Sequence, residues 1–236
     1  MSPLHRALPA WAAVSLACAL PAAAQAAAGS TPAPNARTAT APHVKVDLIA
    51  APRVDSRRTL WLGVRFTLDA PWHIYWQNPG DSGSAPQVQW TMPPSMRAGP
   101  FEWPVPERID IGGLVNYGYH GTGVLPVPAT LAADAPAAGT VSASLRWVIC
   151  HEICVPGKAA VSLALPLAGN DRAQAESWRA SIEQARSRVP RRAPASWVAR
   201  ARSAAGSFSI TVTTGRREER AVFFPLDVSQ VDDSAP

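Results

Sequence analysis

Cys150 and Cys154, separated by His151-Glu152-Ile153, are the residues of this chain best suited to chemistry. The only other cysteine is Cys18. Two thiols this close have three uses: a fixed disulfide, soft metal ligation, or cycling between dithiol and disulfide. Their spacing can bring the two Cα atoms within the ~4.4–6.8 Å a disulfide requires if the segment turns. A bridge across so short a loop gains little from chain entropy, because that gain grows with loop length, so a structural staple is a poor use of the pair. A small loop that opens and recloses without unfolding its support suits reversible exchange. As metal ligands, Cys150, His151 and Cys154 form a soft set suited to Cu(I). Structural zinc would want a fourth ligand, and none is evident. Covalent haem needs Cys-x-x-Cys-His, which is absent. A Cys150–His151 nucleophile–base dyad is disfavoured, because adjacent residues of a strand point apart.

The elements that position the pair are strands. Val141, Ala143, Leu145, Trp147 and Ile149 alternate up to Cys150, and Val161, Leu163 and Leu165 follow the pair. The cysteines therefore lie in the loop of a hairpin. Alternation predicts further strands at 44–48, 60–68, 72–76 and 88–90, and one at 124–130 on a sheet edge because of Pro126 and Pro128. His73 and Tyr75 project opposite Ile74, where they can line the site. Residues 99–111 hold three prolines and are expected to be extended but poor in ladder bonds, and 112–121 reads as a Gly-rich aromatic loop. Trp178, Ile182 and Ala185 fall at helical spacing in a helix over 170–189, ended by Pro190. Strands are expected again at 207–212 and 221–228.

Together these describe an all-β chain with a sandwich pattern over 43–168, a helix and linker over 169–195, and an incomplete second β domain over 196–236, from a longer parent protein. Nine tryptophans among 236 residues, with 24 prolines, suit strands and turns better than a helical bundle. The first 26 residues have a basic start at His5-Arg6, an apolar run over 8–20, and Ala24-Gln25-Ala26, the marks of a secretory signal cleaved near Ala26. Cys18 would leave with it. Residues 27–42 lack periodicity and read as a disordered linker. The exported chain would keep an even cysteine count in a compartment where disulfides persist. The net charge of +5 is spread over arginine-rich loops and gives no reason to expect a nucleic-acid partner.

The string Cys-x3-Cys-x-Pro resembles the motif of copper-delivering Sco-type proteins, but there a helix follows and here a strand does. Four segments taken together resemble the N-terminal domain of the DsbD family of thiol:disulfide interchange proteins, in its ScsB-like branch: Trp72-His73-Ile74-Tyr75-Trp76-Gln77-Asn78-Pro79-Gly80-Asp81-Ser82-Gly83, Trp103-Pro104-Val105-Pro106-Glu107-Arg108, Asn116-Tyr117-Gly118-Tyr119, and Cys150-His151-Glu152-Ile153-Cys154-Val155-Pro156. The resemblance implies an immunoglobulin-like sandwich in the periplasm, part of a protein-disulfide reductase system associated with copper tolerance and cytochrome c biogenesis. It implies no small-molecule cofactor. Electrons would come from a membrane-embedded partner domain through a thioredoxin-like domain and pass to periplasmic disulfide-bearing proteins. Cys154 would form the mixed disulfide, with Cys150 as its partner. The segment 115–119 would be a cap loop, with Asn116, Tyr117 and Tyr119 shielding the pair, and His73, Tyr75 and His151 lining it. Copper binding through Cys150, His151 and Cys154 is the alternative.

Overall fold

The computed structural model describes residues 36–204 and 206–233. The expected signal at 1–26 and the linker residues 27–35 lie outside the described residues. In chain order the first strands are β1 (Thr38–Ala41), β2 (Val44–Val54), β3 (Thr59–Leu68), β4 (His73–Gly80), β5 (Gln87–Thr91), β6 (Met96–Ala98) and β7 (Glu107–Ile111). Then come β8 (Leu114–His120), β9 (Thr122–Leu131), β10 (Gly139–Cys150), β11 (Cys154–Leu165), the helix α1 (Gly169–Ser187), β12 (Val198–Ala204) and β13 (Ser207–Thr213).

Two antiparallel sheets form the body. One runs β1-β2-β3-β9-β6, and the other runs β11-β10-β4-β8-β7, with β5 also pairing β10. Their apolar faces meet in one core. Val46, Leu48, Leu62, Val64 and Phe66 from the first sheet pack with Ile74, Trp76, Leu145, Trp147 and Ile149 from the second. Phe66 and Trp147 touch edge to face across the gap, with ring centroids 5.9 Å apart. This is an immunoglobulin-like β-sandwich.

Several local expectations change. Thr38–Ala41, placed in the disordered linker, is a strand paired with β2. Its Thr38 hydroxyl and the Arg37 guanidinium bind Asp47, which is fully buried on β2. Burial alone would raise the Asp47 pKa. Hydrogen bonds from Thr38 and Arg65 outweigh it and hold the carboxyl below its ordinary value.

The Gly-rich segment 112–121 is not a loop. Gly112 and Gly113, with φ of 62° and 85°, form a two-residue hairpin turn between Ile111 and Leu114, and the aromatic stretch that follows is β8. Positive φ at both positions is what such a turn demands. The Pro-bearing β9 is inside its sheet by order. Its Pro126 and Pro128 carbonyls accept hydrogen bonds from the backbone N–H of Glu102 and Gly99, on the side where the prolines offer no donor. Residues 221–228 are irregular, not a strand. Phe224 packs against Trp76 and Tyr117, and the Asn78 side chain donates to the Pro225 and Asp227 carbonyls.

The helix closes the outer face of the first sheet. Ala175, Trp178 and Ile182 are buried, and Ile182 lies over Ile49 and Gly63. Arg37 stacks on the Trp178 ring, 4.9 Å from its centroid, and also binds Asp171 at the helix start. Trp178→Ala should therefore destabilise the protein by about 3–5 kcal/mol in urea denaturation. A loss below about 1 kcal/mol would show that the helix is not part of the cooperative unit.

Candidate functional site

β10 is the strand on which the site is assembled. Val141, Ala143, Leu145, Trp147 and Ile149 face the core, which leaves the even-numbered residues, ending in Cys150, on the outer face. Directly across the hairpin Cys150 pairs with Cys154, with Cα atoms 4.2 Å apart and the sulfurs joined. Between them, the His151 N–H donates to the Ile153 carbonyl at 3.1 Å, closing a three-residue loop.

The two sulfurs differ in access. Cys150 is 2% exposed, flanked by β11 on one side and β4 on the other. Cys154 opens β11, the edge strand, and is exposed. An attacking group can reach Cys154 from solvent but not Cys150.

The register extends the row. Cys150 pairs with His73 of β4, and His73 pairs with His120 of β8. Cys154, Cys150, His73 and His120 thus lie side by side on one face across four strands. His120 ends the row in a 2.9 Å contact with Glu107. His73 is fully buried, and among the described residues neither ring nitrogen has a hydrogen-bond partner. Its pKa is pushed down to about 4, first by burial and then by His120 and His151. At neutral pH it is an uncharged imidazole.

Tyr75 shares that face and touches His73 edge-on at 5.0 Å. Its hydroxyl lies 3.7 Å from Cys154 Sγ and 3.4 Å from Ser82 Oγ. Ser82 in turn donates its hydroxyl to Asn116 Oδ1 at 2.9 Å and its backbone N–H to the same oxygen at 3.1 Å. Burial raises the Tyr75 pKa against the Ser82 hydrogen bond, so the phenol keeps its proton and can donate it toward sulfur.

The cover over this phenol is the turn after β4. Gly83 has φ +77°, and a Cβ there would fall 2.1 Å from Tyr75 Cζ, so only glycine fits. Asp81 holds the turn to β8 by accepting from Val115 N–H at 2.7 Å. Of the expected cap segment, only Asn116 joins the site. Tyr117 and Tyr119 alternate onto the opposite, core-facing side of β8. Tyr119 pairs with Ile74 and donates to the Pro104 carbonyl, while Tyr117 meets Trp76 and donates to Asp233. They do not shield the disulfide, because the segment is a pleated strand whose odd positions face inward.

His151 sits half-buried at the hairpin tip, its ring 6.3 Å from Trp72, which stacks on His43. Among the described residues, no group of three or more His, Cys, Asp or Glu side chains comes together as a metal centre. Sequence reasoning did not single out His120, Ser82 or Gly83 for the site. Ser82 and Gly83 lie in the family-like string 72–83, but their contact with Tyr75 depends on the fold.

The family described as thiol:disulfide interchange protein DsbD, N-terminal, matches residues 40–166. Among solved structures, the N-terminal periplasmic domain of ScsB from Proteus mirabilis superposes with a TM-score of 0.51 at 23% identity, covering 69% of this chain and 62% of that one. The likeness is one of fold, and the chain spans less than two thirds of that domain's length. The yeast GGA1 GAE domain overlaps at a TM-score of 0.31 and 9% identity, over 53% of this chain and 94% of that one, too weakly to carry an argument. No curated protein matches the chain.

Two outcomes are expected of this site. Above pH ~6.5 His73 is neutral folded or unfolded and does not affect stability. As pH falls from 6.5 toward about 4, the unfolded chain binds a proton that the folded protein refuses. Stability should drop by at most about 3 kcal/mol over that window. Denaturation curves at pH 7.5 and pH 4 should show this component missing in His73→Phe. The second concerns Tyr75. A hydrogen bond to a charged group contributes about 1.5–3 kcal/mol, so reduced Tyr75→Phe should react with iodoacetamide roughly tenfold more slowly at neutral pH. An unchanged rate would remove Tyr75 from thiolate stabilisation.

Proposed function

The chain belongs to the DsbD N-terminal family of thiol:disulfide interchange proteins, and on that premise we propose that it is a periplasmic dithiol–disulfide relay that works through Cys150 and Cys154. The observation that carries this reading is the unequal access of the two sulfurs. An exposed sulfur joined to a buried one gives exchange a defined order.

In the oxidised protein, a thiolate from a thioredoxin-like donor attacks Cys154 Sγ. The Cys150–Cys154 bond breaks, a donor–Cys154 disulfide forms, and Cys150 leaves as a thiolate. A second donor thiol, as thiolate, then displaces Cys154. The donor departs oxidised and the relay holds two reduced cysteines, which take up protons from solvent. The reverse sequence on a periplasmic disulfide passes the two electrons on: Cys154 attacks, and Cys150 resolves the mixed disulfide. Tyr75 stabilises the Cys154 thiolate in both directions. Protein thiols supply the reducing equivalents, so the exchange needs no small-molecule cofactor.

The support withstands reduction. Opening a loop this short costs about 2 kcal/mol in chain entropy. That is small beside a core drawn from both sheets. The pair can open while the sandwich stays folded.

Cys150→Ser should accumulate a mixed disulfide with an oxidised thioredoxin-like protein, whose own disulfide is opened by the Cys154 thiolate, visible as a higher band on non-reducing gels, with the partner attached at Cys154 by peptide mapping. Cys154→Ser should trap far less, because its remaining sulfur is buried. Equal trapping by both variants, or by neither, would overturn the assigned order.

A further inference from the structure

The outer face of the β10–β11 hairpin carries a feature that the exchange chemistry does not use. Two residues back from the disulfide, Val148 pairs with Pro156, and two further back Arg146 pairs with Lys158. All point to the same side as the cysteines. Arg146 and Lys158 are exposed and directly opposite one another. Like charges across a strand pair repel. Neither side chain has a hydrogen bond or ion pair among the described residues. Ser84, from the segment leading into β5, and Gln87, the first residue of β5, complete a groove of ≈ 590 Å³ with Arg146, Val148, Pro156 and Lys158. Next along the same face after Val148 and Pro156 come Cys150 and exposed Cys154, with Ile153, 67% exposed, at the hairpin tip.

We infer that this groove is the docking surface for the exchange partner, and that it takes a segment with acidic residues about 13 Å from the reacting thiol, the span of four strand residues. The inference rests on the relay reading above. With the partner docked, the apolar surface of Ile153, Val148 and Pro156 is covered and water is kept from the attacked sulfur. The uncompensated cation pair beyond it then sets which partner lies along the hairpin. Opposed like charges lower the stability of the isolated hairpin, and a carboxylate placed between them removes that repulsion. Glu152 is exposed at the hairpin tip, two residues before Cys154, so the acidic groups of the partner belong at the far end of the groove and not next to its thiol.

The test uses the full chain and three probes: dithiothreitol, a cysteine peptide with four glutamates placed four residues beyond the thiol, and the same peptide with four lysines. Second-order rates of disulfide opening are measured at low salt and at 1 M NaCl. The acidic peptide should react at least tenfold faster than the basic one at low salt, and the gap should close at high salt. In the double variant Arg146→Glu, Lys158→Glu the preference should vanish or reverse, while the dithiothreitol rate stays unchanged. The charge-matched control Arg53→Glu, Arg57→Glu, at the far end of β2, should keep it. Equal peptide rates in the wild type, or equal loss of preference in the control, would overturn the docking surface and leave the relay intact. If no probe opens the disulfide without unfolding the protein, the relay itself fails, and the docking surface with it.

Discussion

The pleat of β10 is the constraint on which the rest depends. Its odd residues are committed to the core, with Trp147 meeting Phe66 across the sandwich. A slip of one residue would turn Trp147 outward and bury Arg146. The energetic weight of those aromatic and aliphatic groups therefore fixes which side of the sheet Cys150 occupies. Once that is set, antiparallel pairing places Cys154, His73 and His120 in one row beside it. The redox pair is aligned by a hydrophobic register and not by any force between the cysteines themselves.

The asymmetry of the pair has an equally plain origin. An interior strand has neighbours on both sides and an edge strand has one. Cys150 closes an interior strand and Cys154 opens the edge strand, so one sulfur is enclosed and the other meets solvent. The same enclosure leaves the His73 imidazole without a hydrogen-bond partner among the described residues and without its charge. A neutral ring next to Cys150 fills space without adding a fixed positive charge that would pin a thiolate there. The polar contact to the exposed sulfur comes instead from Tyr75, held by Ser82 and Asn116.

Beyond the sandwich, the chain contributes cover. The helix buries Trp178 against the outer face of the first sheet, and the segment around Phe224 packs beside Trp76 and Tyr117. The β12–β13 hairpin is different: all of its described side chains are exposed, Phe208, Ile210 and Val212 among them. The alternation of β13 was legible locally while β12 was not anticipated, and among the described residues their apolar groups stay exposed, with Phe208 meeting Phe223 edge-on.

Alternation of apolar residues was enough to locate the main strands, because burial of one face imposes a period of two. The cysteine spacing was enough to mark a redox or metal-binding pair, and the helical spacing of Trp178, Ile182 and Ala185 placed the helix. Cover over the site was not legible. The family resemblance implied a cap loop carrying Tyr117 and Tyr119, and the Gly-rich composition agreed with a loop, whereas Gly112 and Gly113 make a tight turn that sends the tyrosines into a strand facing the core. The true cover, Ser82 and Gly83 on Tyr75, joins residues whose contact depends on where β4 ends against β8. Local pattern determined which residues form strands and which face turns inward. Only the pairing of distant strands decided which side chains met the disulfide, since that depends on register between segments tens of residues apart.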